Sequence, residues 1–123
     1  NTLYGRVNKM FELISNYEEK LSKNFLDFLL SKTNVRLIGR TDWKKCQRAP
    51  TFSFLIKDRK STEIPTFLRT QKIGVGSGNF YAKRLIEALC IKNSEDGVIR
   101  VSMAHYTSLD DIERLTKSLD QIF

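Results

Sequence analysis

The sequence contains few of the residues that build metal and redox sites. Its 123 residues include two cysteines and one histidine. Cys46 and Cys90 lie too far apart for a CxxC motif, and with one histidine they cannot complete a zinc site without carboxylates. We therefore expect free thiols and no metal site. His105, the single histidine, falls on the buried parity of a predicted strand, which indicates a structural side chain.

Long apolar runs are also absent. No segment approaches the roughly 20 apolar residues that a membrane-spanning helix needs, and the N-terminal residues lack a signal-peptide pattern. These absences predict a cytoplasmic protein without a membrane partner. A chain of 123 residues with 41% hydrophobic and 28% charged residues is typical of a single globular domain, here 1–123.

The net charge of +7 is concentrated in the first half of the chain. Residues 1–60 hold 13 Lys and Arg against 6 Asp and Glu, whereas residues 61–123 hold 8 against 8. No RNP, KH or zinc-finger motif accompanies the basic segments, so nucleic acid is not the expected partner. One alternative function stays open, a non-catalytic basic α+β binding module that contacts RNA or an acidic protein.

The spacing of apolar residues predicts eight elements in the order α-β-β-α-β-α-β-α. The predicted helices cover residues 7–31, 64–71, 80–89 and those after Ser108. The predicted strands cover 34–39, 49–56 and 97–106, and residues 72–79 are predicted as a strand that runs into a glycine loop. Ser61 or Thr62 is expected to cap the second helix, and Ser108 with Asp111 the last. The fold class is therefore α+β, with a small, mostly antiparallel sheet covered on one face by helices and a long N-terminal helix.

Arg100 is the least ordinary residue of the predicted strands. It alternates with the apolar Ile99 and Val101, so it faces the other side of the sheet, next to the small Ser102. A guanidinium in such surroundings is suited to a carboxylate or phosphate. A solvated sheet face is the other interpretation of the same pattern.

The glycine loop "GVGSGN" at 74–79 does not match a phosphate-binding motif. Its spacing is GxGxG, and no Walker lysine follows. Glycines at the end of a strand permit a tight turn or the close approach of a ligand.

The segments from this loop onward resemble those of a known family. Gly78-Asn79-Phe80-Tyr81-Ala82, followed by "GVIRVSMAHY" and "SLDDIERL", is similar to the C-terminal small domain of class V aminotransferases, in the cysteine-desulfurase-like branch. These are fold type I enzymes that depend on pyridoxal 5'-phosphate. The resemblance covers most of the chain and is strongest at residues 72–119.

The resemblance implies a role for several residues. Arg100-Val101-Ser102 matches the motif whose arginine binds the α-carboxylate of the amino-acid substrate, and Gly78, Asn79 and Tyr81 would line the same cleft. The family also implies a large domain that binds most of the cofactor, and a homodimer when full length. Catalytic residues are not expected in this chain.

Two departures limit what the resemblance implies. Tyr81 occupies the place where true cysteine desulfurases carry their nucleophilic cysteine, so transferase, lyase and epimerase reactions remain open beside desulfuration. The lysine that forms a Schiff base with the cofactor has no candidate here. We therefore expect a C-terminal fragment, inactive alone, with residues 1–31 as a connector helix and 32–123 as the small domain.

Overall fold

A computed structural model describes residues 2–123, which form four helices and one four-stranded sheet. The helices are α1 (Leu3–Leu30), α2 (Glu63–Thr70), α3 (Lys83–Ala88) and α4 (Leu109–Asp120). The strands are β1 (Val35–Ile38), β2 (Thr51–Ile56), β3 (Gly76–Gly78) and β4 (Val98–Ser102). Their order is β1-β2-β4-β3, and every neighbouring pair is antiparallel. The predicted α+β fold class is confirmed.

The main core lies between one face of the sheet and the helices α1, α2 and α4. Strand β2 alternates as the sequence predicts, so that Phe52, Phe54 and Ile56 are buried. Phe25 of α1 packs edge-on against Phe52, with ring centroids 5.1 Å apart. Aromatic contacts of this kind stabilise a core beyond the area that they bury.

Helix α3 covers part of the second face of the sheet. The sequence predicts helices on one face only, so this coverage is an addition to the predicted arrangement. Ile86 and Ile91 pack against Val98 in a second buried cluster, with Leu55 and Ile38 beside it. These strand residues are apolar at one end of the sheet, so burial there is favourable. The other end of this face is left open, and it carries Arg100.

Helix α1 extends well beyond the core. It begins at Leu3, four residues before the predicted start, because Thr2 caps it by accepting a hydrogen bond from the Gly5 amide at 3.1 Å. Its 28 residues span about 42 Å, yet the fully buried ones begin only at Leu21. Apolar side chains of its first half stay exposed: Leu3, Tyr4, Met10, Phe11 and Leu13. Across residues 2–123, no helix has the length and apolar character needed to cross a membrane.

The caps of α4 and α2 differ from each other. The predicted cap of α4 is confirmed, since Ser108 and Asp111 form a reciprocal capping box. The hydrogen bonds from Ser108 lower the pKa of the Asp111 carboxyl below its usual range. For α2 the expected side-chain cap is wrong: Thr62 makes no such bond. Instead the distant Asp96 carboxylate accepts from the Ser61 amide at 2.6 Å and the Thr62 amide at 3.2 Å.

Strand β4 ends at Ser102, four residues before its predicted end. The Met103 amide still donates to Pro50 O at 2.9 Å, but a turn closed by Thr107 and Ala104 follows. His105 lies on this turn and is exposed, so the expectation of an inward-facing structural histidine is wrong. Strand parity does not extend past the last ladder pair.

Gly97 lies against the glycine loop at the start of β4. Its φ of +64° is in the left-handed region, and a Cβ there would lie 2.1 Å from both the carbonyl carbon and the oxygen of Gly78. It would also lie 2.6 Å from the Asn79 nitrogen. Since all three atoms are backbone, only glycine fits here without moving the loop.

We predict that Gly97→Ala lowers the free energy of unfolding by about 2–4 kcal/mol, because left-handed strain adds to the backbone clash. Urea titration followed by circular dichroism measures the change. Gly74→Ala is the matched control, since a Cβ at Gly74 meets nothing within 4 Å. Equal unfolding midpoints for the two variants would contradict the predicted clash.

Candidate functional site

Arg100 lies at the centre of β4, between two small residues. Its cross-strand partners are Ser53 on β2 and Gly76 on β3. Buried Ile99 and Val101 alternate with the exposed Arg100, as parity predicts. The arginine thus emerges from an open part of the sheet face rather than from between bulky side chains.

The guanidinium of Arg100 lies on the ring of Phe80. Its Cζ is 3.8 Å from the ring centroid, which is a close cation–π contact. None of the ion pairs found within residues 2–123 involves Arg100, and neither does any of their side-chain hydrogen bonds. Its N–H groups therefore face solvent with no protein acceptor among the described residues.

Arg48 offers a comparison within the same molecule. Its Cζ also lies over a phenylalanine, 4.2 Å from the Phe52 centroid. In contrast to Arg100, it donates to the carbonyl oxygens of Arg40 at 2.7 Å and Thr51 at 2.8 Å. Burial lowers its pKa from the usual value of arginine. Arg48 uses its donors to hold the fold together, whereas those of Arg100 remain available.

The glycine loop continues to Tyr81, and from here on the loop means residues 74–81; its end takes an unusual backbone conformation beside Arg100. Phe80 and Tyr81 both have left-handed φ angles, of 49° and 63°. Asn79 supports the turn, because its Oδ1 accepts from the Tyr81 amide at 3.1 Å. Left-handed residues other than glycine cost energy and cluster at functional sites. Because of this turn, α3 begins at Lys83 rather than at the predicted residue 80.

The structure places the predicted site residues in one region. The residue that links the loop to Arg100 is Phe80, which the sequence analysis did not single out. Gly78, Asn79 and Tyr81 form the loop, and Phe80 between them reaches Arg100. Tyr81 is fully exposed, at 107% of its reference area. Gly97 was also missed, although a glycine directly before a strand indicates a close backbone approach.

This region is an open surface rather than an enclosed cleft. Two cavities of about 470 and 210 Å³ lie elsewhere, the larger between α1 and residues 43–50 and the smaller beside α2. Neither is lined by Arg100 or by residues 78–81. A small ligand held by Arg100 would need a second surface to cover it.

The residues present do not fit a complete pyridoxal-phosphate site. A lysine that forms a Schiff base is activated by desolvation, which lowers its pKa. Lys32 is the only described lysine that is not exposed, and it pairs with Asp120. The pKa of Lys83 is raised, which is the opposite direction, because its ammonium group donates to Glu95. Within residues 2–123 no group of three or more His, Cys, Asp and Glu is placed to hold a metal.

The family model described as "Aminotransferase class-V" matches residues 7–115. Aminotransferase-like protein FGM3 of Gibberella zeae is 28% identical over 113 residues, which are 91% of this chain and 28% of that protein. Cysteine desulfurase-like protein ustD of Aspergillus flavus is 29% identical over 91% of this chain and 26% of its own length. The chain thus spans about a quarter of these curated relatives.

Solved structures show the same fold. The apo cysteine desulfurase of Thermococcus onnurineus superposes with a TM-score of 0.78 at 24% identity, over 89% of this chain and 26% of that one. The cysteine desulfurase CsdA of Escherichia coli gives 0.71 at 20% identity, over 87% and 24%. The match covers the whole arrangement of sheet and helices rather than one motif.

We predict that Arg100→Ala changes the free energy of unfolding by less than about 1 kcal/mol, because the side chain is exposed and its ring contact is weak. Chemical denaturation measures the difference. Phe54→Ala serves as the core reference and should cost about 3–5 kcal/mol. A loss for Arg100→Ala as large as for Phe54→Ala would mean that the arginine is structural.

Proposed function

The chain belongs to the class V aminotransferase family, and we propose that it is the C-terminal small domain of a pyridoxal-phosphate enzyme acting on an amino acid. The observation that carries this proposal is Arg100, a guanidinium on a small-residue sheet face with no acceptor among the described residues. Its role is to bind the α-carboxylate of the substrate.

The surroundings of Arg100 suit a carboxylate. Its planar fork of donors can bind both oxygens at once, and hydrogen bonds between charged groups contribute roughly 1.5–3 kcal/mol each. Ser53 on β2 leaves room for the ligand, whereas the space over Gly76 on β3 is taken by the Phe80 ring. Once the large domain covers this surface, Gly78, Asn79 and Tyr81 would line the resulting cleft from the loop.

A large domain supplies the rest of the site. The chain spans about a quarter of its curated relatives, the described lysines suit no Schiff base, and Arg100 lies on an open surface. The exposed apolar side chains of α1 around Phe11 also favour this proposal, since an amphipathic helix needs a partner for its apolar stripe. Residues 1–31 then form the connector and 32–123 the small domain.

The reaction class follows from Tyr81 only in part. A phenol in the place of the desulfurase cysteine cannot carry a persulfide. Cys90, which is exposed and has a left-handed φ of 55°, lies beyond the end of α3. We therefore leave desulfuration as one of four outcomes, beside transamination, elimination and epimerisation. When bound by the large domain, the cofactor supplies the electron sink, and this chain contributes substrate binding and orientation.

The alternative, a basic module for RNA or an acidic protein, has no support from the family match. Several basic side chains of the first half also serve the fold. Arg48 donates to backbone carbonyl oxygens, and Lys45 Nζ lies 2.6 Å from Asn16 Oδ1. A homodimeric parent protein in the cytoplasm remains our proposal for its assembly and location.

The division of the site between domains can be tested with the cofactor alone. After incubation with pyridoxal phosphate and gel filtration, the 123-residue chain is expected to retain no stoichiometric cofactor absorbance, because it lacks a desolvated lysine. A longer parent protein carrying this segment should retain one equivalent per chain. Stoichiometric retention by the 123-residue chain would contradict the proposal.

The carboxylate role predicts the effect of Arg100→Ala in that longer parent. KM for the amino acid should rise at least about tenfold, since a charged hydrogen-bond pair is lost. The KM of Arg100→Lys should lie between those of the wild type and Arg100→Ala, because lysine offers a positive charge without the planar pair of donors. Arg114→Ala, on α4 across the sheet, is the matched control. An unchanged KM for Arg100→Ala would refute the assignment.

A further inference from the structure

The ring of Phe80, which directly follows the glycine sequence of residues 74–79, contacts the Arg100 guanidinium, with Cζ 3.8 Å from the ring centroid. We propose that Phe80 is a positioning residue, which orients Arg100 for the carboxylate without using any of its hydrogen-bond donors. This inference rests on the carboxylate role proposed for Arg100 and adds the residue that prepares it.

The ring of Phe80 is held in place from several sides. It is half-buried against the second hydrophobic cluster, beside Val98 and Ile86. Over the sheet it occupies the space that a side chain on Gly76 would take, because a Cβ there would lie 3.2 Å from ring atoms Cε1 and Cζ. A larger residue at position 76 would displace the ring from its place beside Arg100.

The backbone of the loop is held as firmly as the ring. The left-handed conformation of Phe80 and Tyr81 turns the chain sharply, and the Asn79 side chain accepts from the Tyr81 amide. Behind the turn, the backbone of Gly97 lies against Gly78 and leaves no room for movement in that direction. The ring therefore has contacts on several sides that hold it beside the arginine.

A stacked ring suits this task better than an acidic partner would. The Cζ of Arg100 lies 3.8 Å from the ring centroid. The N–H groups of a guanidinium lie in its plane, so contact through its face would leave all five for a ligand. An aspartate or glutamate at the same place would accept two of them and compete with the substrate carboxylate. A long arginine that is already ordered loses less entropy when it binds.

The test uses NMR of the 123-residue chain, with L-alanine as the carboxylate probe and L-alaninamide as the probe without a carboxylate. In the wild type, the Arg100 Hδ and Hε resonances should be shifted upfield by the ring current of Phe80. L-Alanine, but not L-alaninamide, should then move the Arg100 Nε–Hε signal. Arg100→Ala provides the reference without the binding residue.

Phe80→Leu should remove the upfield shift and weaken the L-alanine affinity about two- to fivefold, the equivalent of one exposed cation–π contact. Phe80→Tyr keeps an aromatic face and should restore both. If Phe80 only stabilised the fold, L-alanine affinity would not follow the upfield shift of the Arg100 resonances. Loss of both in Phe80→Leu and recovery of both in Phe80→Tyr therefore distinguish a positioning role from a role in stability.

Each outcome decides one of the two proposals. If L-alanine binds Arg100→Ala as well as it binds the wild type, the carboxylate role fails. If L-alanine does not move the Arg100 signal in the 123-residue chain, the same titration of the longer parent protein decides, and an unmoved signal there also refutes the carboxylate role. If Arg100→Ala abolishes binding while Phe80→Leu leaves it unchanged, the carboxylate role stands and the positioning role fails. Should Phe80→Leu not fold, the wild-type shift and the Phe80→Tyr variant decide, and the absence of an upfield shift in wild type overturns the inference.

Discussion

The backbone of Gly97 passes so close to Gly78 and Asn79 that no side chain fits between the two segments. This contact joins the start of β4 to the turn that carries Phe80. From the same segment, Gly97 O accepts from the Ser61 hydroxyl, and the Asp96 carboxylate accepts from two amides before α2. One short stretch therefore sets the position of the loop, of α2 and of the strand that carries Arg100.

The two arginines that lie on phenylalanine rings show how similar contacts serve different purposes. Arg48 is partly desolvated and its donors end on carbonyl oxygens of the chain, so it stabilises the segment around it. Arg100 stands on the open end of a sheet face, and its donors have no acceptor within residues 2–123. The difference arises from the neighbours rather than from the arginine. A binding role is favoured where an ordered cation lacks an internal acceptor.

The elements of the fold were largely predictable, because they depend on local patterns. The alternation in β2, the amphipathic stripe of α4 and the capping box of Ser108 with Asp111 are all readable from residues a few positions apart. Boundaries were less predictable. The start of α3 moved to Lys83 because Phe80 and Tyr81 adopt left-handed angles, and the turn after Met103 carried His105 to the surface. The expected local cap of α2 is replaced by Asp96, which lies 34 residues along the chain from Thr62, whose amide it accepts from.

For the site, the sequence by itself determined that Arg100 leaves the sheet on the side opposite Ile99 and Val101, because a strand alternates its side chains whatever surrounds it. The sequence also contains the residues Gly78, Asn79 and Tyr81, on which the resemblance to class V aminotransferases rests in part. Only the tertiary structure decided that Phe80 lies under the guanidinium and that Gly97 holds the loop there. Both contacts join segments that are distant along the chain, and their geometry depends on strand pairing and close backbone packing, which no local pattern specifies.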